Sequence, residues 1–462
     1  MKTKRGIIVL VLIVLGLVFS WRVSYADENG TATNIGSGAK TLQGQIDELK
    51  QMIEENQRQN QELRKKLEQL ESERAGEKTK LEEELKAKEE ELKAEEEKGA
   101  VSDLVNFLKT IKPGLYIDTA YIYNFNNPKG NTNQLRVFDT EANSFMINLA
   151  QIYLERTPTT EGGYANLVGF RVKLSFGDDP NVFQEGLGAD HFDLQEAFLH
   201  ILAPVGKGLD IYIGKFVTLA GAEVIESKDN FNYSRSLLFG FAIPFTHTGL
   251  RFHYAIAPFD FTLGVNNGWD DANDNNKGKT VEARIGLTHG IFSIGVVDYV
   301  GPEQPDNNSN FRNLVDVVAT LTPINKLTLV ANFDYGVEQN VTNPDINLQD
   351  QNVSWWGIAG YVVYDLTDMV RLALRGEYFD DVDGARTASA TTVPIPGGKK
   401  YWEITPTLQL KPFASYKPFD NFIVRLEYRH DQANKDVFEK SNGDLRKFED
   451  TIAAEFMYYF GY

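Results

Sequence analysis

Charged side chains two residues apart recur along this chain, each set between apolar neighbours. Arg171 and Lys173 interleave with Val168, Phe170, Val172, Leu174 and Phe176. Arg251 and His253 interleave with Leu250, Phe252, Tyr254 and Ile256, and Glu282 and Arg284 with Val281, Ala283, Ile285 and Leu287. Arg371, Arg375 and Glu377 alternate with Val370, Leu372, Leu374 and Tyr378. Arg425, Glu427 and Arg429 alternate with Phe422, Val424, Leu426 and Tyr428, while Asp316, Asp334 and Glu455 stand alone in similar runs. This spacing builds a charged wall rather than a catalytic centre. There are six His and no HExxH or GxSxG arrangement. The absence of Cys removes thiol catalysis, thiolate metal sites, disulfides and a lipid anchor on Cys. Carboxylates are so plentiful that a chance pair identifies no glycosidase or protease. Asp271, Asn273, Asp274, Asn275 and Gly278 are rich in oxygen ligands. They lack the spacing and the distant Glu of a calcium loop, and read as a solvated connector. No catalytic residue, metal or cofactor is therefore expected, and the chain does not read as an enzyme. A net charge of −18 argues against nucleic acid as a partner.

The elements that carry these charges have a period of two, that of a β-strand. In 326–337, Leu327, Leu329, Ala331, Phe333 and Tyr335 oppose Thr328, Asn332 and Asp334. After residue 30 no apolar run reaches the roughly 20 residues of a membrane helix. Barrel strands, by contrast, hide in an ordinary composition such as the 42% hydrophobic content here. Long polar connectors near 125–141, 178–190, 217–246, 268–278, 301–311, 338–352, 380–399 and 432–447 alternate with short ones near 156–163, 203–207, 258–260, 289–290, 322–325, 366–368 and 412–419. That alternation predicts an all-β transmembrane barrel of about 16 antiparallel strands over 112–462, with both chain ends on the short-turn side. Fourteen or eighteen strands stay open, because strand ends are the weakest part of such a reading. An Arg or Lys facing lipid costs about 2–4 kcal/mol at mid-membrane. Arg171, Lys173, Arg251, His253, Glu282, Arg284, Asp316, Asp334, Arg371, Arg375, Glu377, Arg425, Glu427, Arg429 and Glu455 should therefore line a water-filled lumen. Their mixed signs set a transverse field without a clear ion preference. The last strand carries Ile452, Ala454, Phe456, Tyr458, Phe460 and Tyr462 on one face. It looks like a recognition signal for the barrel-assembly machinery. Outer-membrane lipid is the expected surrounding.

Ahead of the barrel, Lys2, Lys4 and Arg5 precede the apolar stretch 6–19, and Ser24-Tyr25-Ala26 offers small residues for cleavage. Residues 1–26 thus read as a signal peptide, and 27–39 as a small polar linker. In 40–98, Leu42, Ile46, Leu49, Ile53, Leu63, Leu67 and Leu70 fall on alternating spacings of four and three, the seam of a coiled coil. Asn56 and Asn60 occupy seam positions, and a stutter containing Gly76 leads to Leu81, Leu85 and Leu92. A helix over 42–97 would span roughly 85 Å. Such a helix is a spacer and self-association device in the periplasm, with the cell wall a further possible contact.

The stretches IYIGKFVTLAGAEVIES (211–227), FNYSRSLLFGFAIPFTHTGLR (231–251) and NNGWDDANDNNKGKT (266–280) resemble the OmpL-like β-barrel porins. More distantly the chain is similar to the phosphate-selective porins O and P. The resemblance spans roughly 112–462. It implies a passive outer-membrane channel for small hydrophilic solutes or ions, commonly a homotrimer, although the seam itself admits two or three helices. It also implies that the long third loop, 217–246, folds inward as a constriction carrying Glu223, Glu226, Lys228, Asp229 and Arg235. Arg171, Arg251 and Arg284 are expected to oppose that loop. The competing expectation is an envelope tether, with the barrel mainly a membrane anchor.

Overall fold

The computed structural model describes residues 100–461 except 184–187 and 189, and before them 55, 58, 61, 62, 65–74 and 76–88. The chain divides into two units, Met1–Gly99 and Ala100–Tyr462. In the first unit the described residues are helical and exposed. Leu67, Leu70, Leu81 and Leu85 are each more than half exposed. The stretches read above as signal peptide and linker, and the seam residues Leu42 to Leu63 and Leu92, lie outside the described residues.

The second unit opens with a helix, α1 (Ala100–Thr110), that the sequence reading left unassigned between Gly99 and the barrel. Arg156 lies 5.2 Å from the Phe107 ring and donates to the Thr110 hydroxyl at 2.9 Å, fixing α1 beside the first strands. The strands follow as β1 (Lys112–Asn124), β2 (Ser144–Arg156), β3 (Val168–Phe176), β4 (Phe192–Ala203), β5 (Leu209–Val217), β6 (Thr246–Ile256), β7 (Phe259–Asn266) and β8 (Thr280–His289). The second half holds β9 (Phe292–Pro302), β10 (Phe311–Ile324), β11 (Leu327–Asn343), β12 (Leu348–Thr367), β13 (Val370–Asp381), β14 (Lys399–Leu410), β15 (Phe422–Ala433) and β18 (Phe448–Phe460). A small hairpin, β16 (Phe438–Glu439) with β17 (Leu445–Arg446), sits in the last long loop.

Sixteen of these strands pair antiparallel in one closed barrel, β1 meeting β18 from Leu115↔Phe460 to Asn124↔Thr451. Closure satisfies every strand edge, the condition for crossing a bilayer with strands. The alternation behaves as a two-sided wall. Val281, Ile285, Leu374, Leu426, Ile452 and Phe456 are exposed on the outside, while their neighbours Glu282, Arg375, Arg425 and Glu455 are buried inside. Aromatic residues such as Phe259, Phe292 and Phe460 mark the short-turn ends of their strands. One connector departs from the reading. Segment 338–352 is not a loop: β11 and β12 run on through it and leave only Pro344–Asn347 between them. Two bulges also shift the inward phase. Asn148 in β2 and Gln195 in β4 are extra residues in their ladders, so Asn148 with Leu149, and Gln195 with Glu196, turn inward together.

Candidate functional site in the lumen

The inward charges fall into two walls. On β13, β14, β15 and β18, Arg375 pairs with Glu403 at 2.7 Å, Arg425 with Glu455 at 3.2 Å, and Arg429 with Asp431 at 2.7 Å. On β2 to β8, Arg171 holds Glu155 at 2.7 Å, Lys173 holds Glu196 at 2.7 Å, and Lys215 holds Asp193 at 2.8 Å. Arg251 is bidentate on Glu282, and Arg284 pairs with Asp260. Elsewhere Arg371 holds Asp365 at 2.6 Å and His253 faces the Thr262 hydroxyl. Asp316 and Asp334 are direct cross-strand partners on β10 and β11, both buried. Asn332 donates to Asp316 at 2.6 Å.

The connector 218–245 lies against the first wall. A backbone without a ladder needs other partners when buried, and the wall supplies them in matched kinds. Glu427 accepts the Tyr233 and Ser234 N–H groups at 2.7 and 2.9 Å, and Glu377 accepts those of Leu237 and Leu238 at 2.6 and 3.1 Å. The guanidiniums take the carbonyls. Arg375 donates to Ser234 at 2.5 Å, Arg425 to Asn230 at 2.6 Å and Ser227 at 2.9 Å, and Arg429 to Arg235 at 2.6 Å. Ser227 also donates its hydroxyl to Glu455. The loop returns Glu223, bound to Arg375 at 2.7 Å while accepting the Ser236 N–H at 2.7 Å. Glu226 reaches the other wall, where Lys173 at 2.6 Å and Gln195 at 2.9 Å donate to it. Burial alone would raise the Glu226 carboxyl. The Lys173 ammonium, with hydrogen bonds from Lys173 and Gln151, outweighs burial and holds it down to about 2. Arg235 is buried against the Phe138 ring at 5.0 Å and donates to the Tyr233 and Ile225 carbonyls. Lys228 and Asp229 pair with each other, and the Asp229 side chain stays 55% exposed.

This placement revises two expectations. Arg375, Glu377, Arg425, Glu427 and Arg429 face inward but lie beneath the loop and grip its backbone rather than line open water, and Glu455 beside them takes the Ser227 hydroxyl. The loop carboxylates find Arg375 and Lys173 as ion-pair partners, not Arg171, Arg251 or Arg284. Of those three, Arg251 touches only the loop's root, donating to the Val217 carbonyl at 3.2 Å. The space left beside the loop is a cavity of about 640 Å³. Lys112, Tyr153, Glu155, Arg171, Lys173 and Glu196 line it from the strands, and Leu219, Glu223, Glu226 and Asp229 from the loop. A second cavity of about 180 Å³ lies between Leu219 and Arg284, Thr288, Ser293, Asp316 and Thr320. Leu219 borders both.

Sequence reasoning missed an apolar cluster inside the barrel. Phe138 from the first loop, Phe183, and Phe239 and Phe245 from the third loop pack together with Trp269 and Trp355. The run LLFGFAIPF at 237–245 is the visible signal, since an apolar stretch in a polar connector needs cover. Gly336 makes room for Trp355: a Cβ there would lie 2.1 Å from the indole. The Trp355 indole N–H holds the Ala242 carbonyl at 3.1 Å. Arg386, from the loop after β13, stacks over Trp355 at 4.9 Å and Trp269 at 5.4 Å, and donates to the Phe241 carbonyl at 2.6 Å. Arg136 of the first loop pairs with Asp431 at 2.7 Å. The oxygen-rich segment near 271–278 is tied within itself and to the end of β9: Asn275 donates to Asp271 at 2.8 Å, Lys279 pairs with Asp274, and Asn276 donates to the Pro302 carbonyl at 3.1 Å. Among the described residues no cluster suited to a metal ion occurs, and no helix is long and apolar enough to cross a membrane.

Residues 110–460 match the family described as beta-barrel porin-2, OmpL-like. No curated protein matches the chain. Among solved structures, an anion-selective porin from Comamonas acidovorans is similar with a TM-score of 0.49 and 8% identity, over 76% of this chain and 99% of that one. The outer membrane channel DcaP of Acinetobacter baumannii gives 0.47 and 13% over 76% and 97%. OmpT of Vibrio cholerae, in a trimer form, gives 0.47 and 13% over 76% and 99%.

Proposed function

Because the chain belongs to the beta-barrel porin-2, OmpL-like family of outer-membrane barrels, we propose that it is a porin for passive diffusion of small hydrophilic solutes or ions, with 217–246 as its constriction. The observation that carries this reading is the loop bolted across the lumen by Glu377, Glu427, Arg375, Arg425 and Arg429, with a charged cavity left beside it. Around that cavity the carboxylates Glu155, Glu196, Glu223, Glu226 and Asp229 outnumber Lys112, Arg171 and Lys173. The local field therefore favours cations modestly. The signal peptide 1–26 takes the chain out of the cytoplasm, and the segment 40–98 is a periplasmic coiled coil that joins copies, most simply three. The exposed Leu67, Leu70, Leu81 and Leu85 support self-association.

The tether reading draws support from the apolar cluster around Phe138, Phe239 and Trp355, which fills lumen that a wide porin leaves open. Planar-bilayer recording separates the two. A porin gives defined single-channel steps with a reversal potential displaced toward cations. A tether gives a silent barrel, and silence at every voltage refutes the porin reading.

A further inference from the structure

Two unlike features flank β1 on the outer, apolar face. On one side, in β2, Phe145 is 82% exposed and Ile147 62%, and Phe145 is the most exposed large apolar side chain in the described strands. The bulge at Asn148 directly follows them and kinks β2 there, and Tyr121 braces the Phe145 ring at 4.7 Å between centroids. On the other side lies a groove of about 720 Å³. Pro406, Ala454, Leu374, Leu408, Leu426 and Tyr428 line it, together with Tyr121 of β1, the residue that braces Phe145. The groove has a covalent cause. Pro406 brings no N–H to the β14–β15 ladder, whose register passes from Ile404↔His430 to Thr407↔Glu427, and Ala454 is the small residue between Ile452 and Phe456.

In lipid, association is driven by shape and packing rather than by removal of apolar surface from water. A ridge on one flank and a hole on the other form a heterologous pair, the kind that closes into a ring when copied by rotation. The segment before residue 100 is joined covalently to the barrel through α1 and β1, so β1 is the strand nearest in sequence to the proposed self-association. We propose that the Phe145–Ile147 ridge of one copy seats in the Pro406–Ala454 groove of a second copy. This rests on the self-association proposed above and gives it a specific barrel surface.

The natural chain has no Cys, so pairs can be introduced without background. F145C and L426C stand three strands apart in one barrel, about 14 Å, beyond the roughly 7 Å a disulfide spans. Oxidation of the full-length double variant in membranes should give reductant-sensitive bands of linked copies, and neither single variant should. A band from F145C alone would mean a symmetric contact and overturn the proposal. So would an oligomer by sedimentation that yields no cross-link, which leaves the groove to lipid. A full chain that sediments as a monomer overturns it too, and removes self-association altogether. F145S, a change on the outer surface, provides an independent reading. It should weaken the oligomer in detergent about tenfold or more, and an unchanged oligomer would count against the contact. Conductance per barrel, measured on the same samples, reports on the porin function separately.

Discussion

Replacing Glu427 with Gln tests whether the loop is held by its backbone. The carboxylate accepts the Tyr233 and Ser234 N–H groups at 2.7 and 2.9 Å and the Thr407 hydroxyl at 2.8 Å. A Gln keeps one oxygen. Its amide NH2 then faces a donor, so one hydrogen bond is lost outright and the others lose their charge. Bonds to a charged acceptor are worth roughly 1.5–3 kcal/mol, so the loop should lose about 2–3 kcal/mol of docking energy. At about 1.4 kcal/mol per factor of ten, the undocked population rises roughly 30- to 150-fold. No ladder bond uses this side chain, so the barrel should assemble normally and keep its heat-resistant mobility on gels. In single-channel records the change should appear as frequent excursions to a larger conductance. Records indistinguishable from the parent, from a normally assembled barrel, would mean that the loop is held by the apolar cluster instead.

Asp229→Asn removes the one exposed carboxylate of the loop and should move the reversal potential toward anions with little change in conductance. Glu226 is held below its ordinary range, to about 2, so its contribution to docking is complete above the usual carboxylate range and is lost only as the pH falls toward 2. The Glu226 contact should thus hold the loop equally well from pH 7 to 5, whereas Glu226→Gln should raise the single-channel conductance at pH 7. Replacing Leu67, Leu70, Leu81 and Leu85 together with Ser should reduce the full chain to smaller species by sedimentation. A chain lacking 27–98 behind the same signal should still insert as a heat-modifiable barrel.

The barrel was legible because its periodicity is local. Val281 to Leu287 alternate with Glu282 and Arg284, and lipid on one face and water on the other leave only one assignment. Bulges at Asn148 and Gln195 were not legible, since one inserted residue flips the phase without changing composition. Segment 338–352 is polar on both faces, so nothing in it distinguished a loop from strands extending beyond the membrane. The lumen was readable in part. Burial cost dictated that Arg375, Glu377, Arg425, Glu427 and Arg429 point inward. That they grip loop backbone depends on pairings such as Glu223 with Arg375, 152 positions apart, which leave no trace in spacing. The run at 237–245 is apolar enough to mark a buried segment, a signal the sequence reading passed over, and it does not say which wall covers it.

The order in which the chain is made gives the docking pattern another meaning. Segment 218–245 precedes every strand of the wall that grips it: Arg375 and Glu377, then Arg425, Glu427 and Arg429, and last Glu455 in the strand that also seals the ring against β1. A chain paired only as far as β12 therefore has its loop but none of these clamps, and one that lacks only β18 has all of them except Glu455, with the ring still open. On the porin reading proposed above, a barrel stopped short of 448–460 is narrowed but unsealed, and its cost to the cell is a matter of envelope integrity rather than of lost transport.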